Sequence, residues 1–370
     1  MTEIETEAET APPPGDHRFP CGNCGSDFRF APVQGLLICD HCGNTEEIES
    51  GPGGALEELD FKAGLGGTLD PGEMEETRVL SCTSCGAQVE FDPAQHAAEC
   101  PFCATPVVTG TGTNRHIKPR GVLPFALDED AARAALEAWL GGLWFAPNGV
   151  ADYARKGRRM AGIYVPYWTY DAQTASRYTG QRGTHYYVNK TVMRDGKRET
   201  VRVRKTRWRN VSGQVARFFD DVLVLASTSL PKRYTDRLSP WDLSELRPYN
   251  PEFLAGFRAE AYTVDLDAGF EEAQAIMRRV IERDVRFDIG GDAQRITTLK
   301  TQARDVTFKH VLLPIWMAAY KYRGKSFRFV VNGRTGEVQG ERPYSVWKIA
   351  VAVLLGLIVA GVAGYVLAES

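Results

Sequence analysis

The eight cysteines of this 370-residue chain fall into two groups of four with the same spacing. Each group reads C-x2-C, fourteen residues, C-x2-C. Two cysteines on one tight turn place their thiolates on one side of a metal ion, and a second such turn completes a tetrahedron. The spacing predicts two zinc ribbons, whose ligands are Cys21, Cys24, Cys39 and Cys42 in the first and Cys82, Cys85, Cys100 and Cys103 in the second.

The two groups are copies of one segment at an offset of 61 residues. Matching residues outside the cysteines include Gly25 with Gly86 and Phe30 with Phe91. Such an offset indicates an internal duplication. A fold this small buries too little apolar surface to be stable alone, so we expect the metal to stabilise it. Four cysteines leave no open ligand position, which predicts two structural rather than catalytic Zn²⁺ ions.

Disulfides and iron are the alternatives for these cysteines. The chain starts with the acidic segment MTEIETEAET, which is unlike a secretory signal, so we expect a reducing compartment and free thiols. Iron bound by four thiolates stays open on spacing alone. His41, inside one C-x2-C turn, is predicted to face solvent rather than to bind metal.

Residues 349–368 read IAVAVLLGLIVAGVAGYVLA and carry no charge. About 20 apolar residues suffice to cross a bilayer, so we predict a transmembrane helix over 346–368. Arg342 and Lys348 precede it, which by the positive-inside rule places the N-terminal part in the cytoplasm. The chain is therefore expected to be a single-pass, tail-anchored protein of the cytoplasmic membrane.

Small residues recur every four positions within this span. They could let another helix approach closely, or simply reflect the abundance of Ala and Gly in spans. Homo- or hetero-association is the sharper hypothesis, through Ala352, Gly356, Ala360, Gly364 and Ala368.

The rest of the chain predicts an α+β protein with many antiparallel strands. The expected order is a disordered acidic tail (1–17), zinc ribbon 1 (18–48), a linker with a short helix (49–78), zinc ribbon 2 (79–112), an α+β cytoplasmic domain (113–342) and the transmembrane helix (346–368). Within the linker, ALEELDFKAGL is the candidate helix.

Helix and hairpin signals occur inside the α+β domain. Asp128 is a candidate N-cap, with Gly141 and Gly142 ending that helix. An apolar face with helical period predicts a second helix over about 268–284. KSFRFVVNGRTGEVQG predicts a hairpin with Asn332-Gly333 and Thr335-Gly336 at its turn. The stretches around Pro166/Trp168 and Pro314/Trp316 resemble each other, either as a second duplication or as two similar strands.

The net charge of −3 hides a strong asymmetry. Residues 1–100 carry 20 acids against 4 Lys/Arg, whereas residues 153–209 carry 15 Lys/Arg against 3 acids. In TVRVRKTRWRN, strand period is expected to align Arg202, Arg204, Arg207 and Arg209. This surface could bind nucleic acid, anionic lipid, an acidic partner or the acidic N-terminal third, or be a solvated strand.

No catalytic set emerges from the sequence. AYKYRGKS at 319–326 fits a loose P-loop pattern, but bulky residues fill the loop and a strand follows it, so nucleotide binding is rejected. The six histidines are scattered, and no nucleophile motif accompanies them. The chain is expected not to be an enzyme, although residues brought together only by folding stay open.

Paired TFIIB-type ribbons, the linker LEELDFKAGL and the block HVLLPIWMAAYKYRGKSFRFVVNGRTGEVQGERPYS resemble a bacterial family of zinc-ribbon membrane proteins. Members are often labelled as similar to primosomal protein N′ (replication factor Y), a superfamily II helicase. This sequence has no credible helicase motor. The resemblance also implies partners of the phage-shock or SPFH type, as for a similar membrane-stress protein of bacilli.

Together these observations favour a non-enzymatic membrane adaptor, which recruits cytoplasmic or membrane proteins to the bilayer through its ribbons. The alternative is a membrane-tethered nucleic-acid-binding protein. It would use the ribbons and the four arginines, with Trp208 stacking on bases.

Overall fold

The computed structural model describes residues 19–48, 56–90, 97–103, 105–108, 112–143, 160–194, 197–322, 325–341 and 345–369. The predicted acidic tail (1–17) lies outside these residues, as do Phe91 and Arg342. The predicted α+β class is confirmed, with two four-cysteine clusters, many antiparallel strands and one apolar C-terminal helix.

The described residues contain seventeen strands and five α-helices. The strands are β1 (Phe28–Ala31), β2 (Leu36–Cys39), β3 (Thr45–Glu46), β4 (Leu59–Asp60), β5 (Met74–Ser81), β6 (Gln88–Glu90), β7 (Ala97–Glu99), β8 (Pro106–Val108), β9 (Gly112–Ile117), β10 (Gly121–Val122), β11 (Ala161–Arg194), β12 (Lys197–Leu225), β13 (Arg247–Pro248), β14 (Arg258–Ala259), β15 (Ala293–Tyr322), β16 (Lys325–Asn332) and β17 (Val338–Gly340). The helices are α1 (Phe61–Gly66), α2 (Glu129–Gly141), α3 (Lys232–Thr235), α4 (Leu266–Ile289) and α5 (Val346–Glu369).

Three very long strands form the centre of the molecule. β11, β12 and β15 have 34, 29 and 30 residues, and β11 pairs antiparallel with both of the others. The largest sheet runs β12-β11-β15-β10-β13, with β16, β17, β14 and β4 added at its sides. The resembling Pro166 and Pro314 stretches lie on β11 and β15. These two strands pair with each other in antiparallel orientation.

Apolar residues cover both faces at one end of this sheet. Tyr164 and Leu312 belong to one cluster, which includes ribbon 1 and α2. Ile163 and Val311 belong to another, which includes ribbon 2. Successive strand residues point to opposite faces, so the two ribbons pack on opposite sides of the sheet. The expected boundaries at 48 and 112 therefore do not separate the ribbons from the sheet's core.

The predicted helices are present, and α2 is capped as expected. The Asp128 carboxylate accepts a hydrogen bond from the Ala131 N–H, and α2 ends at Gly141. α4 includes the predicted 268–284 segment, and its Ala273, Met277 and Ile281 are buried against the long strands. The predicted hairpin is formed by β16 and β17, with Gly336 at positive φ in its turn.

The linker helix is shorter than the candidate segment ALEELDFKAGL. Leu59 and Asp60 are extended and pair with β15, and the Asp60 carboxylate then caps α1 by accepting a hydrogen bond from the Ala63 N–H. Leu59 and Asp60 thus belong to a sheet edge rather than to a helix.

Beyond Gly183, which pairs with the first residue of β15, β11 and β12 pair only with each other among the described residues, as a two-stranded antiparallel ladder. We call residues 184–194 and 197–207 the arm. Its eleven residue pairs extend about 36 Å at roughly 3.3 Å per residue.

Helix α5 includes one segment that is long and apolar enough to cross a membrane, Trp347–Tyr365, and none of this segment is buried. At 1.5 Å per residue its 19 residues extend about 28 Å, close to the hydrocarbon thickness of a bilayer.

Candidate metal centres

The first cysteine cluster is built by two tight turns at the ends of the β1–β2 hairpin. The Gly25 N–H donates to the Cys21 carbonyl, and the Gly43 N–H donates to the Cys39 carbonyl. Both glycines have positive φ, which an L side chain adopts only with strain. The turns bring the Sγ atoms of Cys21 and Cys42 to 3.7 Å and those of Cys24 and Cys39 to 3.5 Å.

The second cluster repeats this geometry. The Gly86 N–H donates to the Cys82 carbonyl, and Gly86 also has positive φ. The Sγ atoms of Cys82 and Cys103 lie 3.6 Å apart, as do those of Cys85 and Cys100. The 61-residue duplication is therefore present in the backbone conformation of the turns as well as in the amino-acid sequence.

The sulfur positions fit a tetrahedral metal ion. In each cluster the four Sγ atoms lie within 4.8 Å of one another. Zn–S bonds of about 2.3 Å in a tetrahedron separate the sulfurs by about 3.8 Å. All eight cysteines are free thiols, which rules out the disulfide alternative in this structure. The two clusters are consistent with two structural zinc ions, and neither leaves a ligand position open for catalysis.

Hydrogen bonds within each cluster favour ionisation of one thiol. The Asn44 N–H lowers the pKa of Cys42 to about 6. In ribbon 2, the hydrogen bond from Cys100 lowers the pKa of Cys85 to about 5. A thiolate is the form that binds metal, so these lowered pKa values favour metal binding by the clusters.

The two ribbons differ in how their second C-x2-C turn is exposed. In ribbon 1, Asp40, His41 and Cys42 are all exposed, as predicted for His41. The equivalent residues of ribbon 2 are Pro101, Phe102 and Cys103, which are all buried. Ribbon 2 packs this turn against the sheet, whereas ribbon 1 presents it to solvent.

Ribbon 1 is held to the sheet by the opposite part of its hairpin. Phe30 is buried, and its ring lies edge-on to Phe253 with centroids 5.4 Å apart. The Phe30 N–H donates to the Ala255 carbonyl. Asp27 and Asp40 are exposed beside the metal end of ribbon 1. Glu46 pairs with Leu37 at the level of Phe30, so Glu46 and the following Glu47 are exposed farther along the hairpin.

Ribbon 2 joins the sheet through backbone and side-chain contacts near Glu260. Val89 forms a bridge with Glu260, and the Ala261 N–H donates to the Gln88 carbonyl. Burial raises the pKa of Glu260 to about 8, and its carboxyl accepts a hydrogen bond from the Ser227 hydroxyl. Sequence reasoning missed this docking, although the apolar pair Pro101-Phe102 in place of Asp40-His41 was a readable signal.

A third cluster of acids lies where the long strands bulge. Glu58, Asp171 and Asp220 bring carboxylate oxygens together, but the Lys309 ammonium lies 2.8 Å from Glu58 and from Asp221. Burial raises the pKa of Asp171 to about 7. Because Lys309 already supplies the compensating positive charge, we interpret this cluster as structural.

The four predicted arginines lie on β12 but do not share one face. The register of β12 with β11 is unbroken from Arg217 to Lys197, so Arg202 and Arg204 point to one face and Arg207 and Arg209 to the other. The predicted alignment is therefore wrong. Arg204 and Arg207 are three residues apart, and an odd spacing on a strand places two side chains on opposite faces. Trp208 is covered by the Arg295 guanidinium, 4.0 Å from its ring centroid.

The rejected P-loop segment is a strand pair in the described residues. Tyr320, Lys321 and Tyr322 of β15 pair with Phe327, Ser326 and Lys325 of β16. A phosphate-binding loop would run from a strand into a helix instead.

Comparisons with known proteins bear on the first ribbon and on the whole chain. The zinc-finger family of the RNA-polymerase I-specific TFIIB protein Rrn7 matches residues 16–47. "Uncharacterized protein YdjG" of Bacillus subtilis (strain 168) is 25% identical over 334 residues, 90% of this chain and 92% of that protein. No solved structure matches. These findings support the zinc-ribbon part of the resemblance, whereas its helicase-like and phage-shock parts stay predictions.

Proposed function

We propose that this protein is a non-enzymatic, membrane-anchored zinc-ribbon adaptor that recruits proteins to the inner face of the cytoplasmic membrane. In this proposal ribbon 1 is the docking module, ribbon 2 stabilises the sheet, and α5 is the anchor.

The exposed metal end of ribbon 1 carries the proposal. A structural zinc site that served only stability could be buried, as the second one is. Ribbon 1 instead exposes Asp40, His41 and Cys42 while its hairpin is fixed to the sheet through Phe30. A rigidly held, exposed turn suits recognition by another protein, because little conformational entropy is lost on binding.

The charge around this end suggests the kind of partner. Asp27 near the turn and Glu46 and Glu47 farther along the hairpin of ribbon 1 are exposed, and the Asp40 carboxylate is paired with Arg29 at 2.8 Å. A basic patch on the partner would complement these acidic residues and steer association. Proteins of the phage-shock or SPFH type are the candidates that the family resemblance suggests.

Membrane attachment through α5 is part of the proposal. Its length, apolar composition and exposure suit a bilayer, and Trp347 and Lys348 suit the interface at its start. The cytoplasmic orientation of the ribbons agrees with free thiols. Close packing with another helix would use Ala352, Gly356, Ala360 and Gly364, which all lie on the exposed helix.

The nucleic-acid alternative has weaker support. Acidic side chains around ribbon 1 oppose phosphate contacts, and Trp208 is covered by Arg295 rather than open to a base. The four arginines divide between two faces of the arm and of the strand region next to it.

The test is purification of the full-length protein from crosslinked membranes, with and without nuclease. The variant Glu46→Lys/Glu47→Lys reverses two exposed charges on the hairpin of ribbon 1 and leaves every cysteine in place. Its control is Glu271→Lys/Glu337→Lys, which reverses two exposed acids elsewhere. We expect the first variant alone to lose its co-purifying proteins, while both stay in the membrane with two zinc ions. Partners that disappear with nuclease, or equally in both variants, would contradict the proposal.

A further inference from the structure

One face of the arm continues a covered face of the sheet. Nearer the core, α4 packs on the even-numbered residues of β11, such as Trp168 and Tyr178. The helix ends over Gly180, where an added Cβ would lie 2.9 Å from Cδ1 of Ile289. The pairing of β11 with β12 has no irregularity beyond Ala172, so the same face runs on into the arm.

Four valines and one tyrosine lie on this continuation, among charged residues that include Glu199. The side chains that share the face are Tyr186, Val188 and Val192 on β11 and Val201 and Val203 on β12, and we call it the valine face. A two-stranded hairpin alone is marginally stable in water, so an apolar face on it favours a covering surface.

Cations surround the valine face. Lys190, Lys205 and Arg207 point to the same side and are exposed, and the Arg207 guanidinium lies over the Tyr186 ring. The sequence segment 184–207, which includes the arm, contains eight Lys or Arg residues and two acids. The surface that covers the valine face must therefore be both anionic and able to accept apolar side chains.

The neighbouring end of α4 carries the same combination. Arg279, Arg283 and Arg286 are exposed near the helix C-terminus. Among them Phe287 is 89% exposed. A large aromatic side chain in water beside three cations is typical of a residue that enters a lipid headgroup region.

We propose that the valine face of the arm, together with Phe287, binds the surface of a bilayer rich in anionic phospholipid. Headgroups would pair with the lysines and arginines, while the valines and Phe287 enter the boundary with the acyl chains. A nucleic acid backbone would satisfy the cations but would leave the valines without an apolar partner. The proposal adds a second lipid contact, distinct from α5 and independent of the adaptor role.

The experiment holds the full-length protein in nanodiscs of phosphatidylcholine and adds vesicles. Flotation measures binding to vesicles of equal parts phosphatidylglycerol and phosphatidylcholine, and to vesicles of phosphatidylcholine alone. We expect salt-sensitive binding to the first vesicles only. Equal binding to both kinds of vesicle, or binding to neither, would overturn the proposal.

A pair of matched variants tests which face binds. Lys190→Gln/Lys205→Gln/Arg207→Gln removes three cations beside the valine face. Each cation near an anionic surface contributes about 1 kcal/mol, so we expect binding to fall about a hundredfold.

The control, Arg198→Gln/Arg202→Gln/Arg204→Gln, removes the same charge from the opposite face of the same arm. We expect a loss below about tenfold, because only the long-range field changes. Equal losses in the two variants would mean diffuse attraction and would overturn the assignment of the face. Zinc content of two ions per chain verifies that each variant is folded.

Two further measurements separate lipid from nucleic acid. Val192→Asn is expected to weaken vesicle binding in high salt, where cations contribute least. A duplex oligonucleotide that displaces the vesicles at equal phosphate concentration would overturn the proposal in favour of nucleic-acid binding.

Discussion

Ribbon 1 and ribbon 2 have the same cysteine spacing and nearly the same sulfur geometry, yet they use their metal ends in opposite ways. In ribbon 1 the second turn, with Asp40 and His41, faces solvent. In ribbon 2 the equivalent Pro101 and Phe102 lie in the core of the protein. Two copies of one duplicated segment have become a surface feature and a core element.

The difference shows that a metal site does not by itself define what a ribbon does. Two residues between the cysteines decide whether the turn is hydrated or buried, since polar side chains resist burial and Phe102 gains from it.

Equivalent cysteines should have unequal effects on stability. Cys103→Ser removes a ligand from the buried cluster and leaves a polar group in the core. We expect it to lower the free energy of unfolding by about 4 kcal/mol or more. Cys42→Ser, its counterpart at the exposed end, is expected to cost at most about 2 kcal/mol. Urea unfolding of the full-length protein in detergent, with zinc analysis, measures both. Equal destabilisation would break the comparison.

The residues inside the turns should show the same contrast without loss of metal. Phe102 has no exposed surface, so Phe102→Ala is expected to cost about 3 kcal/mol through the cavity that it leaves. His41→Ala should change stability by less than about 0.5 kcal/mol. Both variants should retain two zinc ions. A His41→Ala effect as large as that of Phe102→Ala would mean that the exposed turn is packed in solution.

Chelators should remove the two ions at different rates. The exposed sulfurs of Cys24 and Cys42 admit a chelator directly, whereas ribbon 2 must first open locally. We expect two phases of zinc release that differ by on the order of tenfold or more. A colorimetric chelator follows them, and Cys42→Ser should abolish the fast phase. A single phase that includes both ions would contradict unequal access.

The pH dependence of stability should separate the ribbons from the strand cluster at Asp171. The pKa of the Asp171 carboxyl is about 7 in the folded protein and about 3.9 in the unfolded chain. The folded state therefore binds more protons between these pH values. This group's contribution to stability is therefore present below about pH 4 and is lost as the pH rises through 7. Acidification instead protonates zinc thiolates and releases metal. Asp171→Asn is expected to flatten the loss of stability between pH 4 and 7 in thermal unfolding, with zinc release unchanged.

Much of the architecture was predictable because it depends on local rules. The C-x2-C turns, the Asp128 cap and the apolar face of α4 each follow from a few neighbouring residues. The docking of the ribbons was not predictable in this way, since Phe30 and Phe102 pack against strands far away in the sequence. The lengths of β11 and β15 were also missed, because alternating charged residues gave no sign of where one strand ends.

The arginine prediction failed for a reason that is visible in the sequence. Arg202 and Arg204 are even-numbered, whereas Arg207 and Arg209 are odd-numbered, and β12 has no described bulge between them. Strand period alone then places the pairs on opposite faces. The third acidic cluster and the valine face needed the pairing register of the long strands, which composition does not provide.

Photo-crosslinking at the ribbon turns tests the docking role of ribbon 1 most directly. A photoreactive amino acid replaces His41 on ribbon 1 or Ser84, an exposed turn residue of ribbon 2, in the full-length protein in its native membrane. We predict one discrete protein adduct at His41, lost with Glu46→Lys/Glu47→Lys, and none at Ser84. Adducts at Ser84 alone, or a His41 adduct that survives the charge reversal, would contradict docking through the exposed end of ribbon 1.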